Sequence, residues 1–448
     1  MVDVGPGAAG ATSAKQRGHS GFTGGCSAAP MAPHPLPPAR RSLLRAAAGV
    51  SAGLGALTAT ATSAAAHRPV RVLQPGVLQP GRGPRRGVYV PSVPGNVLWG
   101  RLPNRDTEPS VVVASGAVVT LDTVSHEGIL EDQGKDPRGY FSGFGVAPRD
   151  VLDDAAAIAA STPHDGPGPH VVNRPVAVTG ALPGDVLKVE VLDLALRVPY
   201  GVISNRHGKG ALPGELPERW EGDPALAEYF NVGGNVSVFT SVATSGGDLV
   251  GALPGPVPVR FPLAPFLGTM GVARDTSALV DSVPPTDAGG NIDIKDLVVG
   301  STLYLPVRVP GAMFFVGDPH MAQGDGEVAL TAMEGSLRAT VRLTVVRPGE
   351  GGAPQQTART PFAETPEHWI PVGLSDPDGP GGGAQGTDLG VAMRDAVRHA
   401  LDFLTTDLGV PGPVAYAYLS AATDFHVSQV VDRTVGVHAT IRKSDFPR

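Results

Sequence analysis

Short β-branched runs bounded by Gly, Pro and Asp recur along most of the chain. Val111-Val112-Val113, Ala117–Leu121 and Val186–Leu192 are of this kind, and each reads as a strand. The same pattern predicts strands over Val236–Phe239, Val257–Phe261, Ser301–Val309, Val328–Ala332 and Leu337–Val346, with a terminal strand over Val430–Ile441. Helical periodicity is scarce. A short helix is expected over Asp150–Ala160. A longer one is expected over Leu389–Leu408, with apolar residues at Leu389, Val391, Met393, Val397, Ala400, Leu401, Leu404 and Leu408 and Asp388 as its cap, then a short helix over Val414–Ala422. Closely spaced strands with few intervening helices predict a mainly β fold, a sandwich, jelly-roll-like or barrel core with smaller α+β parts, rather than a βαβ sheet.

The 448 residues include 60 Gly and 45 Pro, an excess that suits a turn-rich β-protein. Net charge is −7, and no basic stripe interleaved with aromatics appears, which argues against a nucleic-acid partner. Cys26 is the single cysteine, so a mature chain lacking it has no disulfide, no Cys-ligated metal and no thiol nucleophile. Any metal must be held by His, Asp and Glu.

Residues 1–66 read as an address. A patternless Gly/Ala/Pro-rich stretch precedes Arg40-Arg41-Ser42-Leu43-Leu44, a weakly apolar Ala46–Ala61 segment and Ala64-Ala65-Ala66. That order predicts a twin-arginine signal cleaved before His67, hence export to the periplasm or beyond and no membrane span in the mature form. Met31 is an alternative start. Residues 67–346 are expected to form the β-rich core, and 347–448 an α+β portion of the same unit. The Gly-, Pro- and Gln-rich stretches 348–359 and 376–386 are expected to be loops.

The densest polar constellation is Gly317-Asp318-Pro319-His320-Met321-Ala322-Gln323-Gly324-Asp325-Gly326-Glu327, followed by Glu334. Read as a glycine-rich loop after Phe314-Phe315-Val316, it suits a metal or acid/base site, and equally a polar surface turn. His126, in Ser125-His126-Glu127, and His170 lie at strand ends, where a lone histidine is more often a capping residue. Asn291, in Gly289-Gly290-Asn291-Ile292-Asp293, fits a hairpin turn. No G-x-S-x-G elbow and no Walker A loop occurs, and Gly381-Gly382-Gly383 reads as a linker.

GGNIDIKDL followed by STLYLPVRVPGAMFFVGDPHMAQGDGEVALTAMEG resembles the central signature of the acetamidase/formamidase family. SHEGILEDQGKDP, PGDVLKVEVLDL, PLAPFLGTMGVA and AYAYLSAATDFHVSQVVDRTVGVHATI match in family order, from about residue 95 to the C-terminus. The resemblance implies hydrolysis of small aliphatic amides, acetamide or formamide, to carboxylate and ammonia by metal-activated water, in a dimer or larger homo-oligomer. It implies one or two divalent ions, zinc, held by Asp318, His320 and Glu334 with His126 and His170. Glu327 or Asp325 is then the general base, and Asn291 a hydrogen-bond donor to substrate. Two positions depart from the family pattern. Arg174 replaces a glycine, and Pro319 stiffens the segment between Asp318 and His320. Two other readings use the same scaffold: a hydrolase of a larger amide, its acidic substituent read by Arg174, and a non-catalytic exported binding protein. The second would be marked by lost carboxylates in 317–334, and none is lost.

Overall fold

The computed structural model describes residues 76–376 and 387–446. The twin-arginine segment and the Gly381-Gly382-Gly383 linker lie outside the described residues. Alternating apolar positions build two large sheets. The first runs Val88–Val90, Ala117–Asp122, Leu337–Val346, Val186–Leu196, Thr302–Pro306, Phe362–Glu364, His368–Leu374, Gly436–Arg442 and Asp424–Gln429. The second has the path Val259–Pro262, Asp248–Leu253, Val236–Ser245, Tyr200–Asn205, Met333–Glu334, Phe314–Ala322, Phe266–Val272 and Gly289–Asn291. Four short strands, Val97–Trp99, Val111–Val113, Val171–Asn173 and Val176–Val178, join it off that path.

The inner faces meet in one core. Leu121, Val189, Leu303 and Val341 of the first sheet pack with Leu267, Met270, Phe314 and Val316 of the second, all essentially inaccessible to water. Burying apolar side chains on both inner faces supplies the main driving force for this architecture. The mainly β expectation holds, and both sheets are open, so the arrangement is a sandwich rather than a closed barrel.

Helices are few and peripheral. Leu389–Asp402 starts at Asp388, whose carboxylate accepts the Val391 amide at 3.1 Å, as expected of a cap. It lies almost on the backbone of the His368–Leu374 strand. A Cβ on Gly373 would stand 2.1 Å from the Ala396 nitrogen, so only glycine permits that approach. The expected helix continues to residue 407 by widening into a π-turn over Phe403–Asp407.

Three expectations are corrected. Val328–Ala332 is a turn rather than a strand, with Leu330 at φ 119° and Val328 exposed. The terminal strand is two strands, Asp424–Gln429 and Gly436–Arg442, separated by a turn in which Arg433 has φ 66°. Finally, Gly317–Ala322, expected as loop, belongs to the buried strand Phe314–Ala322.

Candidate metal and active site

The strand Phe314–Ala322 delivers the first two site residues. Residues two apart on a strand share a face, and Asp318 and His320 do so with His320 Nε2 3.0 Å from Asp318 Oδ2. Glu334 pairs with His320 across the antiparallel ladder, and its Oε1 also lies 3.0 Å from Nε2. His170, just before Val171–Asn173, brings Nε2 to 3.7 Å from Asp318 Oδ1. His126, past the end of Ala117–Asp122, brings Nδ1 to 3.5 Å from the same oxygen. Three sets of side chains converge closely enough to share an ion: His126, His170 and Asp318; Asp318, His320 and Glu334; and Asp293, His320 and Glu327. All are buried.

The outer face of each histidine decides which nitrogen points inward. His170 Nδ1 lies 3.0 Å from the Ser282 carbonyl, an acceptor only, so Nδ1 carries the hydrogen and Nε2 presents its lone pair to Asp318. Gln323 donates from Nε2 to the carbonyls of Asp293 and Ser428, both at 3.0 Å, which turns its Oε1 to His320 Nδ1 at 2.9 Å. His320 Nδ1 is therefore the donor, and Nε2 faces two carboxylates. His126 Nε2 faces Glu127 Oε1 at 3.4 Å, and Glu127 is held in turn by Gln133 and by Arg206 at 2.9 Å. Such outer partners orient metal-binding imidazoles.

Inward-facing groups are left without hydrogen-bond partners. His126 Nδ1, Asp318 Oδ1, Glu334 Oε2 and both oxygens of Asp293 are buried with no hydrogen bond. Orphaned buried polar atoms of this density carry a large desolvation cost unless a cation joins them. Nitrogen and oxygen donors, with no sulfur, suit zinc or another divalent ion. The residues present fit a metal centre.

Local electrostatics follow from crowding. Burial raises Glu334 to about 7, with Asp318 adding to the shift against the opposing pull of His320. Burial also pushes Glu327 and Asp293 well above the usual carboxylate range. His170 is lowered to about 4 by burial and stays neutral at pH 7. Burial opposes charge on His126, yet Asp318 and Glu127 outweigh it and hold the ring at about 10.

Backbone conformation is as unusual as the side chains. Asp293, Asp318 and Glu327 have φ values of 49°, 49° and 47°, left-handed geometry that non-glycine residues adopt at a cost. Gly268 forms the floor. A Cβ there would meet Asp293 Oδ1 at 2.5 Å, His320 Cε1 at 2.7 Å and Asp318 Oδ2 at 2.8 Å.

Of the residues singled out from sequence, His126, His170, Asp318, His320, Glu327 and Glu334 come together. Glu327 Oε1 accepts the Ala332 amide at 2.8 Å and lies 4.0 Å from His320 Nε2. Asn291 lines the same cavity, with Oδ1 accepting from Thr269 at 2.7 Å and Nδ2 donating to Asp432 at 2.9 Å. Asp325 is placed elsewhere. Its carboxylate pairs with Lys295 at 2.7 Å and His426 at 3.2 Å, partly open to solvent. Arg174 is not among the cavity-lining residues. Sequence reasoning missed Asp293, Asp432, Glu127 and Gln323, although all four lie in the quoted motifs.

The cavity above this cluster has a volume of about 950 Å³ and is bordered by Arg206, Lys209, Leu330 and Arg433 among others. Among the described residues, no helix is long and apolar enough to cross a membrane.

Comparison with known proteins agrees with the motifs. A formamidase from Methylophilus methylotrophus is 27% identical over 304 residues, 59% of this chain and 73% of its own length. An acetamidase from Mycolicibacterium smegmatis is 30% identical over 203 residues, 36% of this chain and about half (49%) of its own length. Crystal structures of acetamidases from Bacillus halodurans and Yersinia enterocolitica superpose with TM-scores of 0.58 and 0.60 at 22% identity each, covering 80% and 82% of this chain and 98% and 96% of theirs. That likeness establishes the fold. Gly268, Asn291, Asp293, Asp318, His320, Glu327, Glu334 and Asp432 fall within the segment that matches the Acetamidase/Formamidase family model, whereas His126 and His170 precede it. Residues 265–442 match the Acetamidase/Formamidase family model, in agreement with the resemblance carried by the motifs.

Proposed function

We propose that the protein hydrolyses the C–N bond of carboxamides to carboxylate and ammonia, with acetamide and formamide as the simplest substrates. The carrying observation is the convergence of His126 Nδ1, His170 Nε2 and His320 Nε2 on the one carboxylate of Asp318, with Glu334 beside it. Those five residues would hold one or two divalent ions, zinc by their donor chemistry. When bound, the metal supplies Lewis-acid activation of water and of the amide carbonyl.

The remaining work falls to the chain's own groups. Glu127, Ser282 and Gln323 hold the three imidazoles in orientation. Glu327 is the proton carrier: the Ala332 amide occupies Oε1, leaving Oε2 to take a proton from the attacking water. Its burial raises its proton affinity, which suits delivery of that proton to the amide nitrogen, a poor leaving group unless protonated. Asn291 commits one Nδ2 hydrogen to Asp432 and keeps the other for a substrate oxygen.

Metal analysis of purified protein, paired with ammonia release from formamide and acetamide, tests this reading. Bound zinc with ammonia release is the expected result. Folded protein that takes up no metal and releases no ammonia after zinc is supplied would overturn it. Export is part of the proposal and rests on the sequence order of Arg40-Arg41, the apolar Ala46–Ala61 stretch and Ala64-Ala65-Ala66. Arg40→Lys with Arg41→Lys should trap the full-length protein in the cytoplasm, and unchanged secretion would refute the route.

A further inference from the structure

The cavity that reaches Glu327 and Asp318 is far larger than a four-heavy-atom amide requires. At about 950 Å³ it lies at the upper end of the roughly 300–1,000 Å³ typical of sites for drug-sized ligands. Away from the metal-binding cluster its border carries cations and carboxylates together, the latter from Glu131, Asp132 and Asp281. Arg206, Lys209 and Arg433 all border it. Arg206 is bound to Glu127 at 2.9 Å and to Asp132 at 3.0 Å, and Arg433 to Asp281. Lys209 differs from both. Its exposed side chain has no ion-pair or hydrogen-bond partner among the described residues, and Arg206 Nη2 is buried without a hydrogen-bond partner.

Burial lowers the Lys209 pKa, with repulsion from Arg206 and Arg433 adding to the shift and attraction from Asp132 and Asp281 opposing it, so an arriving anion would offset that repulsion. The segment bearing Arg206 and Lys209 is tied to the site. The Ala211 amide donates to the Val328 carbonyl at 2.9 Å and Asn205 Nδ2 to the Ala329 carbonyl at 2.7 Å, which anchors the 205–211 segment to the turn after Glu327.

We propose that Lys209, with the free Nη2 of Arg206, forms an anion subsite within this cavity, and that the preferred substrate is an amide bearing a carboxylate. This inference rests on the amide-hydrolase reading and assigns its substrate class. It replaces Arg174, which does not border the cavity, as the reader of an acidic substituent.

The test compares succinamate with acetamide, the same reacting group with and without a remote carboxylate, on zinc-supplemented full-chain protein. The wild type should prefer succinamate by about tenfold or more in kcat/KM, as one desolvated charge-assisted contact allows. Lys209→Met should collapse that ratio, and Lys209→Arg should keep part of it. Binding of succinate and acetate is measured calorimetrically on the same proteins. Succinate should bind about tenfold tighter than acetate to the wild type and no tighter to Lys209→Met. Hydrolysis of both amides with a ratio indifferent to Lys209 would overturn the subsite and leave the amidase reading intact. Absence of any hydrolysis, with the Lys209-dependent succinate preference retained, would do the reverse. Equal binding of succinate and acetate to the wild type rules the subsite out whatever the turnover.

Discussion

Gln323 decides which nitrogen of His320 faces the site. Its own Nε2 is committed to two backbone carbonyls, so its Oε1, 2.9 Å from His320 Nδ1, can only accept. The imidazole is thus held with Nε2 turned toward Asp318 and Glu334. Gln323→Leu removes the acceptor while preserving bulk. Metal affinity should fall by about 10–100-fold, the usual effect of losing an outer hydrogen bond to a ligating histidine. Competition with a chromophoric chelator reads this directly. Unchanged affinity would mean that packing alone, including the perpendicular ring of Phe266 at 5.0 Å, orients His320.

The packing below the ring is equally tight at Gly268. Its backbone is compatible with alanine, so the objection to a side chain is steric only: a methyl would overlap Asp293, His320 and Asp318 at once. Gly268→Ala should therefore retain the fold yet lose most bound metal and at least about tenfold in kcat/KM. Gly324→Ala, where an added methyl meets nothing within 4 Å, is the local control. Equal metal content in the two variants would show that the floor can shift to make room.

How much of this was readable in advance depends on whether a residue follows the packing pattern or breaks it. Strands such as Ala117–Asp122, Val186–Leu196 and Leu337–Val346 follow it, because their alternating apolar residues face the shared core. The strand carrying Asp318-Pro319-His320 was concealed by the polar residues that make it useful, and local pattern fails where a site overrides it. Val328–Ala332 misled in the other direction, since an apolar run does not say whether a partner strand exists. Asp293 was invisible as a site residue because its left-handed φ swings it out of an ordinary-looking turn. Asp325 was indistinguishable from Glu327 in GDGE, and only the fold sends one to Lys295 and the other inward.

That divergence separates the two carboxylates experimentally. Glu327→Gln keeps an oxygen for the Ala332 amide, so the turn and the metal should survive while turnover falls by about 10²–10⁴-fold, the range expected for a lost general base. Asp325→Asn should affect kcat less than about threefold, since its exposed ion pairs contribute little. His320→Ala should lower metal content and activity together. Metal analysis with steady-state kinetics on the three variants tests the assignment. Full turnover in Glu327→Gln would remove it as proton carrier.

A second histidine–carboxylate pair makes a prediction about stability and pH. His438 is fully buried, with Nδ1 2.8 Å from Ser428 Oγ and Nε2 3.1 Å from Asp296 Oδ2. The hydrogen bond from His438 lowers the Asp296 pKa, although burial opposes the shift. A carboxylate whose folded pKa lies below its unfolded value, about 3.9, binds fewer protons when folded. Its contribution is then complete above pH 3.9 and is lost as pH falls through the lower, folded value. Asp296→Asn should accordingly be less stable than the wild type at pH 7 and 5, and the gap should narrow below pH 4. Urea unfolding of both proteins across this range measures the gap. A gap that stayed constant from pH 7 to pH 3 would mean that the variant loses packing rather than the ionised pair.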